Sequence, residues 1–108
     1  MPFKVFLTAD ATRDLEELYQ YLSGHESPDK AAFVLNKIEN VLDNLSIFPD
    51  RGSYPKELLA LGIRDYREIF LKPYRLIYRV LNQKVYIYII ADGRRDMQAL
   101  LKRRLLEG

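Results

Sequence analysis

Residues 63–96, IRDYREIFLKPYRLIYRVLNQKVYIYIIADGRRD, read as three consecutive strands and a closing Gly-Arg-Arg-Asp turn. Ile63 to Leu71 alternates loosely, Lys72-Pro73 breaks the run, and Tyr74 to Leu81 resumes it with Tyr74, Leu76, Tyr78 and Val80 on one face. Arg75, Ile77 and Arg79 take the other face. Asn82-Gln83 is an acceptable tight turn, and Lys84 to Ala91 is apolar on both faces, the pattern of a strand in the middle of a sheet. Arg64, Arg67, Arg75 and Arg79 lie among these aromatic and aliphatic residues, and Arg94 and Arg95 follow the last strand. Arginine at this density on a sheet calls for an anionic partner.

On the C-terminal side, Gly93 permits a sharp backbone change. Asp96 can then cap a last helix from Met97 to Leu106, with Met97, Leu100, Leu101 and Leu105 inward. Lys102, Arg103 and Arg104 sit near its C-terminus, where cations suit the helix dipole.

On the N-terminal side, Pro49 to Gly62 has two prolines and two glycines around Leu58, Leu59 and Leu61, a loop with one turn of helix. Before it, Ser27-Pro28 supplies a cap and a first-turn proline. Ala31, Val34, Leu35, Ile38, Val41, Leu42 and Leu45 then keep helical spacing until Pro49 disfavours helix near Phe48. Ala11, Leu15, Leu18 and Leu22 predict an earlier amphipathic helix, roughly Ala9 to Leu22, capped by Thr8 and with Asp14 on its outer face. Ser23 to Ser27 reads as the turn between the two. Phe3, Val5 and Leu7 alternate as a short first strand. The expected class is α+β, in the order β-α-α-β-β-β-α, with a helical hairpin on one side of a small, largely antiparallel sheet.

The chain has 108 residues, enough for one core of two layers, and 30% charged against 48% hydrophobic residues, a globular balance. Without cysteine it has neither a disulfide framework nor a thiolate metal site, and neither metal nor cofactor is expected. His25, the one histidine, lies in a turn composition where such a residue is most often simply solvated. No apolar run approaches the roughly 18 residues that cross a bilayer, and the N-terminus turns charged too soon for a signal peptide, so a cytoplasmic protein is expected. Residues 1–50 carry 4 basic and 9 acidic side chains, and residues 51–108 carry 13 and 6, for net charges of −5 and +7. The basic half suits a polyanionic partner, nucleic acid or an acidic protein surface.

With a short strand, a helical hairpin, and then YREI, PYRLIYRV and ADGRRD in that order, the sequence resembles the RelE/ParE superfamily of bacterial type II toxin–antitoxin toxins across essentially its whole length. The resemblance implies a toxin neutralised by a cognate antitoxin in a hetero-oligomer, and it offers two mechanisms. RelE-like members cleave messenger RNA on the ribosome, whereas ParE-like members act on DNA gyrase.

RNA cleavage through the 2′-OH needs a base, cations at the phosphate and an acid, and arginine serves only as the cation. Matched to the RelE pattern, Arg67 takes the first basic strand site, Arg75 the site in YRL and Arg95 the site in the GRR turn. Ile69 stands at the second basic site, and residues 96–108 contain no Tyr and no His. Tyr66, Tyr74, Tyr78, Tyr86 and Tyr88 remain as possible replacements for the base, although aromatic residues on strands usually pack. Asp65, Glu68, Asp92 and Asp96 offer structural partners to the arginines.

The expectation is therefore a ParE-like gyrase inhibitor with Arg67, Arg75 and Arg95, flanked by Arg64, Arg79 and Arg94, as an anion- and target-binding surface. Leu15, Leu18, Leu22 and Leu35 on the hairpin and Leu101 and Leu105 on the last helix are the expected antitoxin contacts, and an added strand at a sheet edge is the other mode. A ribosome-dependent messenger RNA endoribonuclease and a non-toxic nucleic-acid or protein binding module are the alternatives.

Overall fold

The computed structural model describes residues 2–107. Along the chain run β1 (Lys4–Leu7), α1 (Ala9–His25), α2 (Pro28–Ile47), α3 (Lys56–Leu59), β2 (Arg67–Leu71), β3 (Tyr74–Leu81), β4 (Lys84–Asp92) and α4 (Met97–Leu101), which continues as a π-helical turn, Lys102–Leu106. The expected class and element order hold. The four strands form one open sheet in the order β1-β4-β3-β2, antiparallel except that β1 runs parallel to β4.

Local chemistry places most boundaries. The hydroxyl of Thr8 accepts from the Ala11 amide at 3.1 Å and that of Ser27 from the Lys30 amide at 3.0 Å, so both long helices begin on side-chain caps. Asp96 caps α4 through the Ala99 amide at 3.1 Å. Asn82 and Gln83 both adopt positive φ, 48° and 67°, as a two-residue hairpin turn with right-handed strand twist requires.

Four expectations need correction. First, α1 does not stop at Leu22. It continues through Ser23 and Gly24 to His25, and the Leu22 carbonyl then accepts from both the Glu26 and Ser27 amides at 3.0 Å. Second, the strand expected from Ile63 begins only at Arg67, because Ile63 is tied back to the Leu58 carbonyl and packs with Tyr66 beneath α4. Third, the last helix loses its α geometry after Leu101. Fourth, Asp14 points not outward but at the sheet.

Each face of the sheet carries its own core. The hairpin buries Ala11, Leu22, Val34, Ile38 and Leu45 against Tyr74, Leu76, Tyr78, Val85 and Ile87. On the opposite face Leu58 of α3 and Met97, Leu100 and Leu101 of α4 cover Ile77, Ile89 and Ala91. The β3–β4 register shifts by one residue between Ile77 and Tyr78, which skips Tyr88 on β4. As a result, Tyr88 and Ile89 both serve the α4 side, while Ile87 and Ile90 serve the hairpin side.

Since β1 ends at Leu7, among the described residues the edge of β4 beyond Ile87 has no strand beside it. Asp14 and Arg104 close that gap. The Asp14 carboxylate accepts from the Ile90 amide at 3.0 Å, and the Arg104 guanidinium donates to the Tyr88 carbonyl at 2.7 Å and to Asp14 at 2.9 and 3.2 Å. Arg104 is thus a clamp between the C-terminal segment, α1 and the sheet, beyond any role at a helix dipole. Replacing Arg104 by Ala leaves Asp14 without its cation and the Tyr88 carbonyl without its donor, so R104A should lose about 2–4 kcal/mol in equilibrium denaturation while R103A changes by less than about 0.5. Equal stabilities for the two variants would refute the clamp.

Candidate functional site

The six arginines of the sheet region do not converge. Arg75 lies on the α4 side of β3, only 8% exposed, and its guanidinium is already neutralised. It donates two hydrogen bonds to Glu57 of α3, both at 2.8 Å, and one to Glu68 of β2 at 2.6 Å. Gly93 makes room for it, since a Cβ there would stand 2.9 Å from the Arg75 side chain. Hydrogen bonding to Glu57 raises the Arg75 pKa further above its ordinary value, and the same contact pulls the Glu57 carboxyl below its usual 4.5.

Arg67 lies on the opposite, hairpin-facing side of the sheet, across β2 from Tyr78. It donates to the carbonyls of Asp50 at 3.2 Å and Gly52 at 2.8 Å and to the Tyr54 hydroxyl at 3.3 Å, with its guanidinium 4.7 Å from the Tyr54 ring centre. Tyr78 secures the same loop from inside the core, donating to the Pro49 carbonyl at 2.7 Å and accepting from the Gly52 amide at 2.9 Å. No side chain fits at position 52, because a Cβ there would lie 2.6 Å from the Tyr78 hydroxyl. The loop from Pro49 is therefore held against the sheet by one buried phenol and one arginine.

Arg79 shares the Arg75 face at the far end of β3, 3.4 Å from Asp65 and over the Tyr66 ring. Arg94 folds back on Asp92 at 2.5 Å yet is 78% exposed, and its contact lowers the Asp92 pKa. Arg64 and Arg95 are exposed and, among the described residues, have no carboxylate within 4 Å. Of the carboxylates expected as partners, Asp65, Glu68 and Asp92 are used, and Asp96 is spent on capping.

The expected single surface of Arg67, Arg75 and Arg95 is thus not assembled. Strand alternation puts the first two on opposite sides of the sheet, and each is held by three hydrogen bonds to protein oxygens. Exposed cations on or near the α4 side include Lys56, Arg64, Arg94, Arg95, Lys102 and Arg103. Burial pushes the phenols of Tyr66, Tyr74 and Tyr78 up, away from the range a general base needs. His25 stacks on Tyr21 with ring centres 4.3 Å apart on an exposed turn of α1, remote in role from any of these groups.

The six leucines expected to meet an antitoxin divide similarly. Leu15 and Leu35 line an open groove between α1 and α2, with Tyr19 and Gln20, of about 670 Å³. Leu18 and Leu105 are partly buried against the two cores, and Leu22 and Leu101 are closed inside them at 2% and 1% exposure. Leu22 and Leu101 accordingly offer no surface in this state. The pairs Arg75–Glu57 and Arg104–Asp14 were not readable in the chain, because their members stand 18 and 90 positions apart with no periodicity linking them.

A profile of the family described as the ParE toxin of the type II toxin–antitoxin system parDE matches residues 5–97. Toxin ParE3 of Caulobacter vibrioides is 30% identical over 101 residues, covering 94% of this chain and 97% of that protein. Among solved structures, the chromosomal ParDE toxin–antitoxin system of P. aeruginosa superposes with a TM-score of 0.69 at 20% identity, over 83% of this chain and 95% of that one. The RelBE2 toxin–antitoxin complex of Mycobacterium tuberculosis gives 0.57 at 26% identity, over 85% and 92%.

Glu57 supplies a pH signature. Its folded pKa lies below its ordinary 4.5, so the ion pair contributes fully above that value and is lost as the pH falls through the lowered pKa. Denaturation midpoints should hold from pH 7 to about 5 and then fall, and E57Q should be less stable at pH 7 with a shallower acid decline. An acid profile parallel to that of the unmodified protein would show that Glu57 carries none of it.

Proposed function

This chain belongs to the ParE toxin family of type II toxin–antitoxin systems, and we propose that it inhibits DNA gyrase, without cleavage chemistry of its own, until a cognate antitoxin binds it. The observation that carries the reading is Arg75. At the position where the nuclease branch of the superfamily needs a cation free to meet phosphate, this chain holds an arginine already bound by Glu57 and Glu68. A phosphate would have to displace two carboxylates from a buried site, and each uncompensated charge left there costs several kcal/mol, on the order of 3–5. Arg67 is likewise committed to loop carbonyls.

The exposed cations at and beyond the sheet's arginine stretch include Arg64, Arg94, Arg95, Lys102 and Arg103. We assign target engagement to these and to the exposed end of the last helix. The groove at Leu15 and Leu35 is assigned to the antitoxin, in a toxin–antitoxin hetero-oligomer, and the setting is the cytoplasm, where gyrase acts. Among the described residues no helix is long and apolar enough to cross a membrane.

Purified protein should reduce gyrase supercoiling in a plasmid assay and leave messenger RNA intact on translating ribosomes. Induced expression should filament the cells, and a small neighbouring reading frame should rescue them. An R95E/R103E double substitution should weaken gyrase inhibition at least about tenfold with little loss of stability, since both side chains are exposed. Cut messenger RNA with untouched supercoiling would establish the ribosome-dependent nuclease instead, and normal growth on induction would leave a non-toxic binding module.

A further inference from the structure

One end of the sheet carries aromatic and basic side chains that neither core uses. Strand alternation places Val5 and Leu7 against the hairpin, so Lys4 and Phe6 stand on the opposite face, the one shared by Arg75, Ile77 and Arg79. Two rows cross three strands there. Arg79, Tyr86 and Phe6 are register partners in one row, and Leu81, Lys84 and Lys4 in the next, beside the Asn82-Gln83 turn. Phe6 is 41% exposed and stacks on the half-buried Tyr86, with ring centres 5.6 Å apart and 22° between the planes. Both rings lie outside the two hydrophobic cores, and β1 is an edge strand, so no strand flanks Phe6 on its outer side. An exposed aromatic pair of this kind is surface that the fold itself does not need.

The charge around the rings is positive. Lys4 and Lys84 are exposed, and among the described residues neither ammonium has a carboxylate within 4 Å. Arg79 is partly neutralised by Asp65 at 3.4 Å and lies over the Tyr66 ring, which leaves the two lysines as the cations of this face free to meet an anion. They are direct neighbours across β1 and β4. Like charges opposite one another destabilise a sheet, so the pair gains from an anion placed between them.

We propose that this face binds single-stranded nucleic acid, with phosphates at Lys4 and Lys84 and bases stacked on the Phe6–Tyr86 pair. The bases of a duplex are already stacked on one another and offer the rings nothing, while an acidic peptide would satisfy the lysines alone. A second copy of this chain is disfavoured, because contact between two such faces would gather four ammonium groups. The site stands at the end of β3 opposite to Tyr74, whose partner Asp92 leads into Arg94 and Arg95, and it does not rest on the gyrase reading.

The test uses the full-length protein with thymidine and uridine dodecamers, a duplex of the same length and a glutamate dodecapeptide, read by fluorescence anisotropy across a salt series. A single strand should bind at least about tenfold more tightly than the duplex or the peptide. Binding of thymidine alone assigns the site to DNA, of uridine alone to RNA, and of both to either. F6A/Y86A should weaken single-strand binding about tenfold. K4Q/K84Q should reduce the slope of log affinity against log salt by about 1.4, the share of two phosphate contacts on a single strand. K30Q/K37Q removes the same charge from exposed positions of α2 and should change neither affinity nor slope. If F6A/Y86A fails to fold, the contrast between the two lysine pairs decides alone. Equal affinity for the duplex or the peptide, single-strand binding by F6A/Y86A at the unmodified strength, or equal effects of the two lysine pairs would overturn the proposal.

Discussion

The sheet has two faces and unequal means of covering them. The hairpin of α1 and α2 spans one face with two long helices, and β3 and β4 bury a full set of aliphatic and aromatic residues against it. On the other face α4 and α3 are short, and apolar side chains cover only the region around Ile77, Ile89 and Ala91. What they leave is the end of β3 at Arg75, and there the chain closes the surface with charge, one guanidinium between two carboxylates. A buried cation of this kind is tolerable only when its hydrogen bonds are satisfied. Glu57 on α3 and Glu68 on β2 are thereby bound into the same arrangement, and so is Gly93, whose lack of a side chain lets Arg75 lie flat.

That requirement also decides what several arginines of the sheet are used for. Arg75, Arg67 and Arg104 are held by protein oxygens, whereas Arg64, Arg94 and Arg95 are exposed. Arg75 holds α3 and β2 in place, Arg67 holds the loop from Asp50 to Tyr54, and Arg104 closes the open end of β4. The basic charge of the second half of the chain is therefore partly internal, and part of its outward share lies next to α4 at Arg94, Arg95, Lys102 and Arg103. Because Glu57 and Glu68 are drawn in with Arg67, Arg75 and Arg104, the net of +7 over residues 51–108 is nearly unchanged at the surface.

Much of the architecture could be read from the chain because it is decided locally. Thr8, Ser27-Pro28 and Asp96 carry their capping in their own side chains, Asn82-Gln83 carries a turn, and the unbroken apolar run from Val85 to Ala91 marks a strand covered on both faces. What could not be read is decided by distant partners. Asp14 looks like an outer-face residue of α1 until the β4 edge is placed beside it. Arg75 resembles an anion site until Glu57, from a loop without periodicity, arrives against it. The arginine positions were legible as positions, but their occupation was not.

The parallel pairing of β1 with β4 has a consequence in time. Lys4 lies opposite Lys84, so the first strand to be synthesised finds its place only after eighty further residues exist. By contrast, the helical hairpin and the β2–β3–β4 meander close over short connections that cost little loop entropy. A nascent chain can hence hold most of its elements and still lack a finished sheet, with β4 exposed along the edge that β1, Asp14 and Arg104 later cover. Completion of this molecule is a late event, set by the order in which its strands are made.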